Sequence, residues 1–99
     1  MAKYELTNKA VIDLNNIWDY TFDTWSEYQA DKYYDILLSS CQDIADNPEL
    51  GTNYTEINSE LFGLKVNRHI IFYRKSIDNP IEITRILHEQ MDLKNRITE

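Results

Sequence analysis

The sequence predicts an α+β fold, in which an N-terminal antiparallel helical hairpin packs on a small antiparallel β-sheet. Three observations predict this fold. Apolar residues recur at helical spacing between residues 10 and 45, the period changes to short apolar runs from Leu61 onward, and turn-forming residues separate the segments. The predicted order of elements along the chain is β-α-α-β-β-β.

Length and composition indicate one domain. A chain of 99 residues has the size of a single domain, so residues 1–99 are interpreted as one unit. The single cysteine, Cys41, has no partner within the chain, which favours a reducing compartment, and we expect a cytoplasmic location. No apolar run approaches the ~20 residues of a membrane span, and the start of the chain does not resemble a signal peptide, so no membrane contact is expected.

The predicted elements begin with a short strand over KYELT, residues 3–7, and Thr7 or Asn8 is suited to cap the helix that follows. That helix has one apolar stripe, which we interpret as core packing, while Asp13 and other polar residues fill the remaining positions. The stripe consists of Ala10, Leu14, Ile17, Trp18, Thr21 and Trp25.

A second helix is predicted from residue 26 onward. Ser26 and Gln29 have the spacing of a capping box, and an i, i+3, i+4, i+7 apolar repeat continues from there to Ala45. Pro48 and Gly51 then end the helical pattern. Two long helices joined by so few residues must lie antiparallel.

The second half of the chain contains three short apolar runs, LFGLKV, HIIFYRK and IEITRILH, which predict three consecutive antiparallel strands. Only Asn67 and Arg68 separate the first two runs, and asparagine tolerates the left-handed backbone of a tight hairpin turn. We expect the first strand to join the edge of this sheet and residues 52–60 to form a long loop. Residues 91–99 are either a short helix or a tail.

Arg85 occupies an unusual position in the last predicted strand. Because side chains alternate across a strand, Arg85 shares one face with Ile81, Ile83 and Leu87. A guanidinium stays charged, so Arg85 requires an internal ion pair, with Asp92 or a neighbouring glutamate, or a place in a groove that a partner fills. The sequence leaves both interpretations open.

Charge is divided unevenly along the chain. Residues 1–60 carry 12 acidic and 3 basic side chains, whereas residues 61–99 carry 5 acidic and 7 basic ones, for a net charge of −7. An acidic total disfavours general nucleic-acid binding and favours a protein partner. Solvent exposure alone explains the cations of the second half, or they form a basic stripe that receives carboxylates or phosphates. These side chains are Lys65, Arg68, Arg74, Lys75, Arg85 and His88.

Two histidines are the candidates for proton transfer. His69 and His88 have intrinsic pKa values suited to acid–base chemistry near neutrality, although histidines on strands are usually hydrogen-bonded wall residues. The sequence contains no Cys/His cluster, phosphate-binding loop or nucleophile elbow, so we expect no metal and no cofactor.

Five blocks of the sequence are spaced along nearly the whole chain: DLNNIWDYT, QADKYYDIL, NPELG, HIIFYR and RILHEQMD. Together they resemble the ParE toxins of the RelE/ParE superfamily of bacterial toxin–antitoxin systems. The last two blocks, at residues 69–74 and 85–92, are the most specific. The resemblance implies the same fold that the periodicity predicts.

The resemblance also implies a function and a set of partners. ParE toxins inhibit DNA gyrase by protein–protein binding, stabilise plasmids, and are neutralised in a hetero-oligomer with a ParD-like antitoxin that carries a ribbon-helix-helix DNA-binding domain. We therefore expect an antitoxin segment to fold on the toxin, with an amphipathic helix in a groove. Sequence-specific DNA binding by the toxin itself is not expected. The candidate partner-binding residues are Arg68, Arg74, Arg85, His88, Met91 and Asp92.

Two alternatives remain at this point. The RelE branch of the superfamily cleaves messenger RNA on the ribosome, and His69, Arg85 and His88 are the candidate catalytic residues for such a reaction. The acidic total and the small number of cations oppose RNA binding, so an enzyme is not expected. The other alternative is an inactive module that only binds antitoxin.

Overall fold

The computed structural model describes residues 3–75 and 80–98 and confirms the α+β class. Two long helices and a short third one surround a five-stranded sheet. The elements in chain order are β1 (Tyr4–Leu6), α1 (Asn8–Thr24), α2 (Glu27–Asp46), β2 (Thr52–Asn53), β3 (Phe62–Val66), β4 (His69–Arg74), β5 (Ile81–His88) and α3 (Leu93–Thr98). Within the described residues, no helix has the length and apolar character that a membrane crossing requires.

Side-chain caps begin both long helices where the sequence predicts them. Thr7 Oγ1 accepts a hydrogen bond from the amide of Ala10 at 3.1 Å, and Ser26 Oγ accepts one from the amide of Gln29 at 3.1 Å. These bonds satisfy backbone donors that have no partner within the helix. Only Trp25 and Ser26 separate the two helices, so they pack as the predicted antiparallel hairpin.

The strands are ordered β1-β5-β4-β3-β2. Strands β3, β4 and β5 form the predicted antiparallel meander, and Asn67 in the first turn has the expected positive φ, 55°. The prediction of a wholly antiparallel sheet is wrong, because β1 runs parallel to β5. Along the chain, the two helices separate β1 from the other strands, so no tight turn sets the direction of β1 in the sheet. The predicted loop at residues 52–60 also contributes β2, which pairs with β3 at the far edge.

The sheet is covered on both faces. The helical hairpin covers one face, where Leu37, Cys41 and Ile44 pack with Ile71 and Ile83. The residues after β2 and helix α3 cover the other face. The cluster there consists of Leu61, Ile70, Phe72 and Leu87, with Tyr54, Ile57, Leu93 and Ile97 packed against it. The C-terminal residues therefore form a short helix, one of the two forms that the sequence allowed.

An irregularity in β5 overturns the predicted alternation. Phe72 is paired with Arg85 and Tyr73 with Ile83, so Thr84 is an extra residue in β5. An inserted residue reverses the faces of all the side chains that follow it. As a result Ile86, rather than Arg85, joins Ile83 beneath the helical hairpin.

Candidate partner-binding site

A groove lies between the helical hairpin and the edge of the sheet where β4 begins and β5 ends. It has two sections, one of about 520 Å³ and one of about 710 Å³. Tyr20, His69 and His88 line both sections, so the two are continuous, and we call the whole the interlayer groove. The first, or Arg85 section, is lined by residues that include Ile12, Asp13, Asn16, Ile17, Arg85, Leu87, Met91 and Arg96. The second, or Trp25 section, is lined by residues that include Trp25, Lys32, Tyr33, Ile36, Asn67 and Arg68.

Large apolar side chains are exposed along the whole interlayer groove. Ile12 is 56% exposed, Tyr20 68% and Trp25 74%, and Ile36 and Met91 are also exposed. Contiguous exposed apolar surface of this kind marks a site of interaction with another protein. Aromatic side chains such as Tyr20 and Trp25 are also the residues that dominate binding energy at interfaces.

Arg85 is held in an internal ion pair, and its partner is Asp13 of α1. Arg85 Nε donates to Asp13 Oδ2 at 2.8 Å and Nη2 donates to Oδ1 at 3.1 Å, while Nη1 donates to the carbonyl of Arg96 at 2.6 Å. The side chains are only 13% and 10% exposed, respectively. The predicted ion pair therefore exists, but the predicted partners, Asp92 or a glutamate, are wrong. Because the pair also lines the interlayer groove, Arg85 belongs to the groove with its charge already compensated.

Asp13 is the main residue that the sequence interpretation missed. The sequence pattern places Asp13 among the polar positions of the first helix, yet it is buried with the core residues of that helix. The burial of Asp13 was nevertheless predictable from its position in the helix. Asp13 lies three residues after Ala10 and four before Ile17, which places it on the apolar stripe. A carboxylate at such a position requires a buried cation or donor.

The two histidines lie side by side in the middle of the interlayer groove. Their ring centroids are 5.3 Å apart, with the ring planes nearly perpendicular at 81°. His69 Nδ1 is 2.6 Å from the hydroxyl oxygen of Tyr33, and His88 Nδ1 accepts a hydrogen bond from the amide of Gln90 at 3.1 Å. The strand register pairs the two histidines directly, which explains why residues nineteen apart meet.

Burial changes the acid–base properties of this centre. Burial, together with the neighbouring His88, lowers the pKa of His69 from 6.5 to about 4, against the opposing effect of Glu89. Burial also raises the pKa of the Tyr33 hydroxyl. Both groups are therefore neutral at pH 7. No signal in the sequence indicates the contact between Tyr33 and His69.

The other candidate residues divide into two groups. Arg68 and Met91 line the interlayer groove, Arg68 in the Trp25 section and Met91 in the Arg85 section. Arg74 does not, because the six residues of β4 separate it from Arg68 by roughly 20 Å of extended chain. It lines a separate pocket of about 350 Å³. The structure therefore does not bring Arg68 and Arg74 into one basic stripe.

Asp92 lies outside the interlayer groove, at the start of α3. Its carboxylate oxygens accept hydrogen bonds from the amide and the side-chain nitrogen of Asn95, at 3.5 and 2.6 Å. Lys65 and Lys75 form surface ion pairs with Glu89 and Glu49. No three metal-ligating side chains converge anywhere in residues 3–75 and 80–98.

Comparison with known proteins identifies the family. Residues 4–93 match the family described as "ParE toxin of type II toxin-antitoxin system, parDE". The chain belongs to this family. It is 32% identical over 96 residues to Toxin ParE1 of Mycobacterium tuberculosis, covering 97% of this chain and 98% of the relative. It is 30% identical over 94 residues to Toxin ParE1 of Caulobacter vibrioides, covering 95% and 96%.

Solved structures place this ParE-family toxin in the same fold. A chain from the chromosomal ParDE TA system of P. aeruginosa superposes with a TM-score of 0.76 at 19% identity, covering 89% of this chain and 96% of that one. The predicted resemblance to ParE toxins is confirmed. Residues 4–93 include both sections of the interlayer groove from Ile12 to Met91, and only Arg96 lies beyond the matched region.

Proposed function

We propose that this ParE-family toxin inhibits DNA gyrase by protein–protein binding, and that a ParD-like antitoxin neutralises it by occupying the interlayer groove. The observation that supports the antitoxin site is the row of exposed apolar side chains along that groove. An amphipathic helix buries its apolar face in such a groove and leaves its polar face in water.

The exposed positive charges of the groove support an antitoxin segment that carries acidic side chains. Arg68 and Lys32 are exposed cations that line the Trp25 section, whereas Arg85 is compensated by Asp13. We therefore assign the acidic side chains of the antitoxin to Arg68 and Lys32 rather than to Arg85. Arg74 lies outside the groove and serves as a matched comparison.

The proposed complex is a cytoplasmic hetero-oligomer that contributes to plasmid stabilisation. DNA binding belongs in this proposal to a ribbon-helix-helix domain of the antitoxin, since the toxin carries a net charge of −7 and repels phosphate backbones. In this proposal DNA gyrase is the target, and the toxin inhibits it through direct contacts between the two proteins.

We propose inhibition by binding rather than by RNA cleavage. In the set His69, Arg85 and His88, all three side chains already have internal partners. A cation that stabilises a phosphate during cleavage must be free to approach it, and Arg85 instead donates to Asp13 and to a backbone carbonyl.

The activity is tested by expressing the toxin without antitoxin and measuring two outputs. Purified toxin is added to a gyrase supercoiling assay, and cellular messages are examined by primer extension. Inhibited supercoiling with intact messages is the expected result. Cut messages with normal supercoiling would contradict the proposal and select the ribonuclease. Normal supercoiling with intact messages, in a chain that still binds antitoxin, would select an inactive module.

The antitoxin site is tested with two matched pairs of variants. Arg68→Glu lies in the groove and Arg74→Glu outside it, and Trp25→Ala lies in the groove whereas Tyr28→Ala removes an exposed aromatic ring outside it. Each groove variant is expected to weaken antitoxin binding by roughly tenfold or more, and each outside variant by less than about twofold. Equal effects within both pairs would contradict the groove assignment.

A further inference from the structure

The described part of the chain contains two sulfur-bearing side chains, and they differ sharply in exposure. Cys41 is completely buried beneath the helical hairpin, and burial raises the pKa of its thiol to about 12. Met91 is 42% exposed and lines the Arg85 section of the interlayer groove. A thiol reacts with a peroxide as its thiolate, whereas a thioether reacts without losing a proton. Within residues 3–75 and 80–98, Met91 is therefore the sulfur that is open to oxidation.

Met91 has a fixed backbone and a side chain that lies outside the core. Its amide donates to the carbonyl of His88 at 3.0 Å, which fixes the turn after β5. Neither of the two hydrophobic clusters formed by the described residues on the faces of the sheet includes Met91. A change in the polarity of this side chain therefore alters the surface of the groove and leaves the packing of the fold intact.

Aliphatic side chains share this section of the groove with Met91. Ile12 and Ile17 line it from α1, and Leu87 lines it from β5. An apolar antitoxin side chain that enters the section removes water from these side chains and from the thioether together. A flexible, polarisable methionine adapts well to such a partner.

We propose that Met91 is an oxidation site through which a hydroperoxide weakens the binding of the antitoxin. The inference rests on the proposed function, because it takes the antitoxin as the occupant of the interlayer groove. The sulfur attacks one oxygen of the hydroperoxide, the O–O bond breaks, and the products are the sulfoxide and one molecule of water or alcohol. The sulfur loses two electrons, the peroxide gains them, and no proton is taken up or released overall.

The sulfoxide places a strong hydrogen-bond acceptor in an apolar part of the binding surface. Water hydrates this oxygen in the free toxin, and an apolar antitoxin side chain that displaces the water supplies no hydrogen bond in exchange. Burial of a polar group without a partner is expected to weaken binding by roughly tenfold. Oxidised toxin therefore escapes neutralisation at antitoxin concentrations that still bind the unmodified protein.

Peroxide treatment of the complete, antitoxin-free toxin tests the proposal. Mass spectrometry of its peptides locates the added oxygen after exposure to hydrogen peroxide, and calorimetry measures the affinity for the antitoxin. We expect one added oxygen on Met91, none on Cys41, roughly tenfold weaker binding and an unchanged urea unfolding curve. Unchanged affinity of toxin oxidised at Met91 would overturn the proposal, and so would a loss of affinity caused by unfolding.

Enzymatic reduction separates the sulfoxide from other oxidative damage. Two methionine sulfoxide reductases, one for each epimer, together with a thiol reductant convert the sulfoxide back to the thioether. This treatment is expected to restore the original affinity. A loss of affinity that persists after Met91 has been fully reduced would contradict the assignment.

Met91→Leu is the matched control, because leucine is apolar and of similar volume but has no sulfur. Met1, which lies outside the described residues, remains oxidisable in this variant. The measured quantity is the ratio of the affinities before and after peroxide treatment, and in Met91→Leu we expect it to stay within about 1.5-fold. An equal loss of affinity in Met91→Leu and in the native chain would assign the effect to another residue.

The antitoxin complex distinguishes a failure of this inference from a failure of the groove assignment. An antitoxin that occupies the interlayer groove is expected to slow the oxidation of Met91 in the complex. If Trp25→Ala weakens binding but oxidation of Met91 does not, this inference alone is wrong. If Trp25→Ala has no effect and Met91 is oxidised equally fast in the free toxin and in the complex, the groove assignment is wrong and the inference fails with it.

Discussion

Asp13 and Arg85, 72 residues apart in the sequence, form a two-bonded ion pair that joins α1 to β5 at the wall of the interlayer groove. Asp13 Oδ2 also accepts a hydrogen bond from the backbone amide of Ile86 at 3.0 Å. In the described part of the chain, the register of β1 on β5 ends at Ile83, so this carboxylate satisfies a β5 amide that lies beyond β1. One side chain therefore fixes the distance between the helical hairpin and the end of the sheet.

Removing this carboxylate is expected to destabilise the protein strongly. Asp13→Ala leaves the guanidinium of Arg85 and the amide of Ile86 buried without their acceptor, a change that costs about 3–5 kcal/mol for a buried pair. Urea unfolding measures the loss in the free energy of unfolding. Asp19→Ala, on the exposed side of the same helix, is the control and is expected to change stability by less than about 0.5 kcal/mol.

A double variant tests whether charge or packing causes the loss. Replacing both partners with apolar residues, Asp13→Leu with Arg85→Met, removes the uncompensated charge and is expected to recover much of the stability. A double variant as unstable as the sum of the two single variants would show that the two residues do not interact energetically.

The helical hairpin was predictable because local signals specify it. The apolar repeat of α2, the cap at Ser26 and the break at Pro48 all lie within about twenty residues of one another, and each acts through local geometry. The turn at Asn67 was predictable for the same reason, since a two-residue connection requires a left-handed residue.

Features that depend on long-range contacts were not predictable. The parallel direction of β1 depends on its docking beside β5, and no turn between them encodes it. The extra residue Thr84 depends on how β5 meets β4, and it reversed the predicted faces of Ile86 and Leu87. In both cases the pairing of strands in the tertiary structure determined the arrangement, and the local alternation of apolar and polar residues did not predict it.

The candidate site was predictable in part. His69, His88 and Met91 meet in the groove because they lie at one end of β4 and at the end of β5 or just after it. Arg74 lies at the opposite end of β4, outside the groove, so a basic side chain in this strand did not by itself predict a position in the groove. The groove wall from α1 and α2 was missed, because its aromatic residues resemble core residues in a sequence.

Tyr73 joins the sheet to the segment that follows α2. Its hydroxyl donates to the carbonyl of Pro48 at 2.7 Å and accepts a hydrogen bond from the amide of Gly51 at 2.9 Å. Tyr73→Phe keeps the buried ring and leaves both backbone groups without that partner, so we expect a loss of about 1–3 kcal/mol in unfolding free energy. Tyr28→Phe, at an exposed position, is the control for removing a hydroxyl. Equal stability of the two variants would contradict the role of this hydroxyl.

Cys41 is expected to be unreactive in the folded protein. It is completely buried under the helical hairpin, and burial raises the pKa of its thiol to about 12. The thiolate that attacks a disulfide reagent is therefore almost absent at pH 8. An aromatic disulfide reagent, which releases a coloured thiolate when it reacts, is expected to detect no thiol in native protein and one thiol per chain in denaturant. Rapid reaction of native protein, at a rate independent of denaturant, would contradict this arrangement.

The stability of the free toxin is expected to fall on acidification between pH 6.5 and about 4. His69 titrates near 6.5 when the chain is unfolded and near 4 when it is folded, because burial disfavours the charged ring. Above pH 6.5 both states hold neutral His69 and no difference arises. Between the two pKa values the unfolded chain binds the proton that the folded chain excludes, so acidification favours unfolding, and the effect levels off below about pH 4.

Urea unfolding across this pH range measures how steeply the free energy of unfolding depends on pH, with His69→Gln as the comparison. That variant also loses the bond to Tyr33, so its absolute stability is expected to be lower, and the informative quantity is its shallower dependence on pH. An unchanged slope in His69→Gln would assign the acid sensitivity to other groups.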